Sequence, residues 1–329
     1  MDLTKDEELK FPTWSGSKHL NRWADYVELL CIFGEDHLVT IDDIIDYYLD
    51  MNPEEAERGS TDHSQKYDNF RRNVEIYFAL LANRAEFLKD DYPFEIEGKK
   101  SLQLKVGLNS RHIFYVFLLC ASNTFCFKSM LSRLTSAFEE ICLPILKIVS
   151  SRISTTEIFG TSRAIEEGAA KYCGNLKKRL KTLARELGTG VTPMLENDTK
   201  FDVPCGDGGI DLVSYIDIDG HPCVPLILAQ CACGYEEWVD KQDSIQPSVW
   251  NRRYLMLAPY IQVIFVPFFV RNSFGEFEHL TDIRTCVFDR ARIFLLAQRT
   301  DSVFSEFLKS DIYVEIVKFL TKKDIAIAA

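Results

Sequence analysis

The sequence lacks several features that would define its class directly. It has no run of about 18 apolar residues, the length that a membrane-spanning helix needs. Residues 1–17 are acidic, whereas a signal peptide is basic and then apolar. We therefore predict a cytoplasmic protein with no membrane partner. The chain also has no excess of basic residues. It contains 38 Lys and Arg and 49 Asp and Glu, which gives a net charge of -11. Any contact with nucleic-acid phosphates must then come from a local patch.

Nucleophile and phosphate-loop motifs are missing as well. None of the six histidines lies near a serine or cysteine in a recognisable nucleophile motif. The sequence therefore gives no support to a hydrolase triad. Gly206-x-Gly208 opens a predicted strand and not a helix, which excludes a phosphate-binding loop there.

The ten cysteines do not indicate a disulfide framework. They are scattered through a long chain, and most lie inside apolar runs such as Phe117–Cys120, which is typical of reduced, buried thiols. Zinc binding is an alternative for Cys231 and Cys233, with Cys205 and Cys223 nearby in sequence. The spacing lacks the usual pair of C-x₂₋₄-C arms, which weakens that alternative.

Length and apolar periodicity predict two domains, the first mostly helical and covering residues 1–125. The chain has 329 residues, 47% of them apolar, enough for a large core. Thr40 and Asp43 form a candidate capping pair. The other predicted elements are a helix over His19–Phe33, a helix over Lys66–Lys89, and a hairpin of Phe94–Glu97 with Leu102–Val106.

The second helix of this domain carries an acidic face. Its carboxylates are Asp42, Asp43, Asp46 and Asp50. We interpret them as solvated surface and not as a metal site. Such a face would suit the recruitment of a basic protein partner, a third and weaker function hypothesis.

Residues 126–329 have the element order of an α/β sandwich. The predicted helices are Phe127–Ser150, Lys171–Leu187, a short one after Gly234, Thr285–Gln298 and Ser302–Thr321. The predicted strands are Ile153–Gly160, one near Phe201, Ile210–Ile216, Val224–Cys231 and Ile261–Val270. The last run is almost wholly apolar, which suits a strand buried on both faces. The fold class is thus α+β or α/β, with a helical N-terminal domain before a sandwich.

A carboxylate and an amide are predicted to lie side by side in two neighbouring strands. The glycine-rich turn Gly206–Gly209 precedes Ile210-Asp211, and the next strand carries Gln230. Asp219-Gly220 marks a hairpin between the strands. If the turn centres on Asp219 and Gly220, Asp211 lies opposite Leu228. If it centres one residue later, Asp211 lies opposite Gln230. Strand side chains alternate with period two, so both registers predict Asp211 and Gln230 on one sheet face.

These two side chains offer oxygen ligands that suit Mg²⁺. A buried aspartate inside an apolar strand is costly without a partner or an ion, which favours a site. The alternative is that Asp211 is a capping or paired acid and Gln230 an ordinary strand residue.

The same segment resembles the PD-(D/E)XK nuclease superfamily, and within it the Mrr-like restriction enzymes. Their motif is a glycine-rich turn, Gly-Ile-Asp, and then a strand ending in Gln-x-Lys. Gly209-Ile210-Asp211 and Gln230 match it, and the lysine position falls on Ala232. The resemblance implies a restriction-endonuclease-like α/β/α core over residues 126–329. It also implies that Asp211 and Gln230 bind Mg²⁺ or Mn²⁺, with a lysine that orients the attacking water.

Two further residues follow from the resemblance. Some members of the superfamily supply the lysine from a neighbouring element, and Lys241 on the helix after the strand is the candidate substitute. An acidic residue on the helix before the sheet often completes such sites, and Glu139 matches it, although an exposed helical glutamate needs no function. A helical domain before a Mrr-like core also resembles effectors of bacterial anti-phage defence.

The predicted helix Lys171–Leu187 carries the best local basic patch. Six cationic residues and no acidic one lie between Lys171 and Arg185. At about 100° per residue, its leucines gather on one face while Lys171, Lys178, Lys181 and Arg185 gather on another. This basic face predicts a DNA contact, with a plain solvated face as the alternative.

Two function hypotheses follow. The first is a metal-dependent DNA endonuclease in which Asp211, Gln230, Lys241 and Glu139 form the catalytic site. The second is a catalytically silent nuclease fold that binds nucleic acid or a protein, which alanine at position 232 would permit. The sequence does not specify an oligomeric state.

Overall fold

The computed structural model describes residues 9, 19–52, 61–160, 171–202 and 208–328. Over these ranges the chain has the predicted α+β class, with a helical N-terminal region and two separate sheets. No helix within the described ranges is both long and apolar enough to cross a membrane.

The described helices lie in the following order. They are α1 (Leu20–Phe33), α2 (Ile41–Met51), α3 (Thr61–Leu88), α4 (Ser110–Ser122), α5 (Leu131–Val149), α6 (Leu176–Glu186), α7 (Pro193–Asn197), α8 (Trp238–Lys241), α9 (Pro247–Trp250), α10 (Arg290–Ala297), α11 (Asp301–Leu308) and α12 (Asp311–Lys322). Short 3₁₀ turns cover Lys89–Asp91, Lys128–Met130, Thr199–Phe201, Gln242–Ile245 and Leu280–Asp282.

The described strands form a small sheet and a larger one. They are β1 (Leu38–Thr40), β2 (Phe94–Glu97), β3 (Ser101–Leu104), β4 (Thr155–Ile158), β5 (Leu212–Tyr215), β6 (Leu226–Cys231), β7 (Ile261–Phe265) and β8 (Cys286–Phe288). The small sheet is antiparallel, in the order β1-β3-β2. The larger one has the order β4-β5-β6-β7-β8, with β4, β5 and β6 antiparallel and β7 and β8 joined in parallel.

Packing divides the chain into two compact units. The first comprises Met1–Leu134, Phe268–Glu278 and Phe307–Ala329, and the second comprises Thr135–Pro267 and His279–Glu306. Each unit combines separate segments of the chain, whereas the predicted boundary divides the chain once, between residues 125 and 126. That boundary stays a prediction.

Several sequence-predicted elements are confirmed. The Thr40 side chain accepts the Asp43 amide at 3.1 Å, and the Asp43 carboxylate accepts the Thr40 amide at 2.7 Å, so α2 begins with the predicted capping pair. The hairpin of β2 and β3 and the strand pair of β5 and β6 are also present. Leu212 pairs with Ala229, the later of the two registers considered.

Other elements differ from the prediction. The strand expected near Phe201 is a 3₁₀ turn, the helix expected from Thr285 begins only at Arg290 after strand β8, and the last predicted helix is split into α11 and α12. The late start of the helix has a clear cause, since β8 has only three residues and pairs in parallel with β7, a partner that local periodicity does not report.

A buried ionic network holds α1 against α3 in the first unit. The Arg84 guanidinium lies 2.7 Å from Asp25 and 3.0 Å from Glu28, and all three side chains are almost fully buried. Tyr92 and Tyr115 donate to Glu28 at 2.6 and 2.7 Å. Every member therefore has a partner, the condition under which buried charges are tolerated.

The larger sheet of the second unit has a helix on each face. The α6 side chains Leu180 and Leu183 pack in one core with Val213 of β5 and Leu228 of β6. On the opposite face, the Cys142 thiol of α5 lies close enough to the Cys231 thiol of β6 for each to affect the pKa of the other. This α/β/α arrangement leaves the ends of β5 and β6 between the two helices.

Candidate metal centre

Asp211 lies directly before β5 and joins three strands. Its amide donates to Ala229 O at 2.9 Å, and its carbonyl accepts the amides of Phe159 and Gly160 at 2.7 and 3.0 Å. Its carboxylate Oδ2 accepts the Cys231 amide at 2.6 Å. Only 3% of Asp211 is exposed, so the side chain satisfies a backbone donor at the end of the strand pair.

The shared face predicted for Asp211 and Gln230 assumed that regular strand alternation reaches Asp211. Strand β5 begins only at Leu212, so Asp211 lies outside it. Extending the register would set Asp211 opposite Gln230, but the Asp211 amide bonds Ala229 and so shifts the ladder by one residue. The consecutive left-handed glycines Gly208 and Gly209, at φ +65° and +87°, turn the chain immediately before it. The alternation of side chains along β6 therefore sets the face on which Gln230 lies. The glycine turn, and not this alternation, sets the direction of the Asp211 carboxylate.

Glu139 of α5 approaches the same space as Asp211. A Cβ atom at Gly160 would lie 3.2 Å from Glu139 Oε2 and 3.4 Å from Asp211 Oδ1. The sum of these distances bounds the separation of the two oxygens at about 6.6 Å. A side chain at position 160 would crowd both carboxylates, and carboxylate oxygens are the donors that a hard divalent cation prefers.

Gln230 lies on the α6 face of the sheet and is 4% exposed. Its Oε1 atom is 3.3 Å from the Ser244 hydroxyl, in the 3₁₀ turn after α8. The structure therefore places Asp211 with Glu139 on the α5 side of the sheet and Gln230 with Ser244 on the α6 side, so the prediction that the two side chains share one face is wrong. Sequence reasoning did not identify Ser244, because no motif marks a serine that reaches the site from a short turn.

Lys241 is the last residue of α8 and is partly exposed. Its Nζ lies 3.8 Å from Glu237 Oε2. Burial raises the pKa of the Cys233 thiol, the carboxylates of Glu139 and Asp211 raise it further, and the Lys241 ammonium lowers it. The lysine and both carboxylates thus act electrostatically on one thiol, and the role of Lys241 as the substitute lysine stays a prediction.

The cysteines beside the carboxylates are protonated. Burial raises the pKa of Cys142 and of Cys231, and the charges of Asp211 and Glu139 act in the same direction. Thiols held in this form are poor metal ligands. For the zinc alternative, Cys205 lies outside the described residues and Cys223 is exposed.

In the described part of the chain, no three His, Cys, Asp or Glu side chains are arranged to hold a metal ion. A cation beside Gly160 would therefore depend on two carboxylates and water, since the Gln230 amide lies on the other face of the sheet, against Ser244. Those donors fit Mg²⁺ or Mn²⁺ in kind, since both ions take oxygen ligands and keep several waters.

Ion pairs neutralise two of the four residues of the predicted basic face, Lys171 and Lys181. Lys171 lies 2.8 Å from Glu186, and its Nζ also donates to the Tyr215 hydroxyl at 2.7 Å. Lys181 lies 2.7 Å from Glu196. These pairs are partly exposed, and exposed pairs contribute only about 0–1 kcal/mol, so a phosphate could displace them.

The other cations of this helix differ in exposure. Arg179, one of the six cationic residues between Lys171 and Arg185, is buried and donates to Phe159 O at 2.8 Å. Lys178 and Arg185 are exposed, as predicted for a phosphate-binding face, and Arg185 also donates to Thr182 at 3.2 Å. The accessible positive charge is thus smaller than the sequence indicated.

Comparison of the chain with protein-family models, with curated proteins and with solved structures finds no match. Any functional conclusion must therefore come from the residues and their geometry.

Proposed function

We propose that this chain is a metal-dependent DNA endonuclease that hydrolyses phosphodiester bonds. The observation that carries the proposal is the approach of two carboxylate oxygens, Glu139 Oε2 and Asp211 Oδ1, to within at most about 6.6 Å of each other beside Gly160. Two carboxylates from separate elements, here one buried and one half-buried, repel each other unless a cation or proton lies between them. On the resemblance to the Mrr-like motif, we further propose that the enzyme acts as an effector in bacterial anti-phage defence.

Each side chain has a role that follows from its chemistry. Asp211 and Glu139 would hold the cation together with water, and the Gln230 amide, on the other face of the sheet, is not among its ligands. A bound Mg²⁺ or Mn²⁺ supplies Lewis acidity toward a phosphoryl oxygen and lowers the pKa of a bound water. Lys241, partly exposed and anchored on a single helical turn, would orient the attacking water through its ammonium group.

The substrate contact is proposed for the exposed side of α6. Lys178 and Arg185 point away from the leucine core of this helix, and Lys171 and Lys181 lie beside them in exchangeable ion pairs. Cationic side chains on one helix face suit the phosphates of a DNA backbone, with no implied preference for base sequence.

A cleavage assay on supercoiled plasmid tests the proposal. Wild type is compared in Mg²⁺, Mn²⁺ and EDTA with Glu139→Gln and Asp211→Asn, and Glu140→Gln is the matched control on the same helix. We expect metal-dependent nicking by wild type and by the control, with a loss of more than about a hundredfold in the two site variants. Equal cleavage by Glu139→Gln and Glu140→Gln would remove Glu139 from the site.

A catalytically silent binding module is the second candidate. It is favoured by the buried alanine at position 232, where the family motif has lysine, and by the Asp211 carboxylate, one oxygen of which already accepts the Cys231 amide. DNA binding by wild type without cleavage in either metal would support this candidate over the enzyme.

A further inference from the structure

A single peptide group, between Phe159 and Gly160, joins helix α6 to the backbone of Asp211. Its carbonyl accepts Arg179 Nη1 of α6 at 2.8 Å, and its N–H, on Gly160, donates to Asp211 O at 3.0 Å. The peptide bond is trans, so the carbonyl and the N–H point in opposite directions. The peptide group therefore lies between the Arg179 guanidinium and Asp211 and is bound at both ends.

Gly160 is the residue beside which the two carboxylates meet. A Cβ atom at this position would lie 3.2 Å from Glu139 Oε2 and 3.4 Å from Asp211 Oδ1. The Asp211 carbonyl also accepts the Phe159 amide, at 2.7 Å. Glycine has more backbone freedom than any other residue, so contacts of the backbone itself have to fix its position. Arg179 supplies such a contact, on the side of the peptide group opposite Asp211.

Packing alone does not call for an arginine at position 179. Arg179 is fully buried on the leucine face of α6, three residues after Leu176 and one before Leu180. A guanidinium stays protonated in proteins, and a charge is costly to take out of water. An apolar side chain of similar volume would fill the same place without that cost. The presence of arginine is therefore explained by the group that it binds.

We propose that Arg179 is a positioning residue that fixes the peptide group between Phe159 and Gly160 and thereby holds the Asp211 carboxylate in the geometry that binds the cation. This inference rests on the proposed function. The guanidinium carbon also lies 5.5 Å from the centroid of the Phe159 ring, so Arg179 contacts both the carbonyl and the side chain of one residue. A hydrogen bond to the carbonyl polarises the peptide group and strengthens the bond from its N–H to Asp211 O. Arg179 acts through the backbone in this role and is not a ligand of the cation.

Mn²⁺ binding by Arg179→Met and Arg179→Lys tests this role, measured by calorimetry or by electron paramagnetic resonance. Methionine fills the space without a donor. Lysine keeps the charge and a donor but lacks the planar guanidinium that lies against the Phe159 ring. Arg179→Met should bind Mn²⁺ about tenfold more weakly than wild type, the scale for groups that hold a metal ligand in place. The affinity of Arg179→Lys should fall between the two.

Hydrogen exchange at the Gly160 amide gives a local readout on the same proteins. This amide should exchange slowly in wild type, because it is bonded to Asp211 O. Exchange should be faster in Arg179→Lys and fastest in Arg179→Met. An arginine that only fills the core would leave exchange at this amide unchanged, so the measurement separates positioning from packing.

Arg290→Met is the matched control. Arg290 is a second fully buried arginine of the same unit, and its Nε also donates to a backbone carbonyl, that of Pro267, at 2.6 Å. This variant should bind Mn²⁺ like wild type, and an affinity loss equal to that of Arg179→Met would overturn the proposal. Unchanged Mn²⁺ affinity or unchanged Gly160 exchange in every folded Arg179 variant would also overturn the positioning role, and would leave the metal site standing. A wild type that binds no Mn²⁺ would overturn the metal site and the positioning role with it.

Discussion

The Asp211 carboxylate accepts the Cys231 backbone amide at 2.6 Å, so the proposed metal ligand also closes the end of a strand pair. These two roles predict different effects for two substitutions. Asp211→Asn retains an oxygen for the Cys231 amide and should keep most of the stability. Asp211→Ala leaves that buried donor without its acceptor and should lower the free energy of unfolding by about 1–3 kcal/mol.

Urea unfolding measures the effect of each substitution on stability. Mn²⁺ binding measures the proposed role of Asp211 as a metal ligand. Both variants should lose Mn²⁺ binding, because neither carries the charge. If Asp211→Asn binds Mn²⁺ like wild type, the carboxylate is structural only.

Gly160→Ala should fill the space between the two carboxylates. The added methyl would lie 3.2 Å from Glu139 Oε2 and 3.4 Å from Asp211 Oδ1, where the cation is proposed to bind. We expect at least about a tenfold loss of Mn²⁺ affinity, on the scale of other changes next to a metal site. Gly234→Ala is the control, since its methyl would meet only Glu237 at 3.7 Å. Similar Mn²⁺ affinities for the two alanine variants would argue that no cation binds at Gly160.

Lys241→Ala should abolish cleavage and leave Mn²⁺ affinity close to that of wild type. The reason is that the lysine orients water and is not a metal ligand. Cleavage on plasmid and Mn²⁺ binding are measured on the same preparations. The control is Lys318→Ala, an exposed lysine of α12 that forms a similar i,i+3 ion pair. Undiminished cleavage by Lys241→Ala would end its assignment as the substitute lysine.

Charge reversal on α6 should weaken DNA binding without unfolding the protein. Lys178→Glu with Lys181→Glu removes two cationic side chains outside the leucine core, one of them already paired with Glu196. The slope of log affinity against log salt should fall by about 0.9 for each phosphate that the variant no longer neutralises. Glu196→Gln should act in the opposite sense, because it frees Lys181. Affinities that are unchanged at every salt concentration would assign this face to plain solvent exposure.

Stability should depend on pH through His112. Its Nδ1 accepts the Asn109 amide at 3.2 Å, which requires a neutral ring, and its Nε2 lies 2.7 Å from Asp90 O. Burial lowers the pKa of His112 below its ordinary value of 6.5. The unfolded chain then binds a proton that the folded chain resists, so stability falls as pH drops from about 6.5 toward the lower folded pKa.

His112→Gln should remove this contribution, because glutamine can close the same capping box without titrating. Thermal unfolding of wild type and variant between pH 7.5 and pH 5 measures the difference. The exposed His221→Gln provides the control. If the stability of His112→Gln falls with pH as steeply as that of wild type, other groups carry the effect.

Much of the fold was predictable because local patterns dictate local structure. Thr40 with Asp43 determined where α2 begins, and Asp219-Gly220 restricted the pairing of β5 and β6 to two registers with the same parity. The alternation of β6 also set the face on which Gln230 lies, but the glycine turn before β5 directs the Asp211 carboxylate to the other side. These features involve residues close in sequence, whose geometry depends on backbone preferences and side-chain period.

Only the tertiary structure decided which distant groups meet. Glu139 approaches Asp211 because α5 packs on one face of the sheet, and Ser244 reaches Gln230 because its turn packs against the glycine at 209. The ion pairs that cover Lys171 and Lys181 join residues far enough apart that no periodic pattern reports them. Such contacts depend on how whole elements bury their apolar faces, a long-range property that a sequence window does not contain.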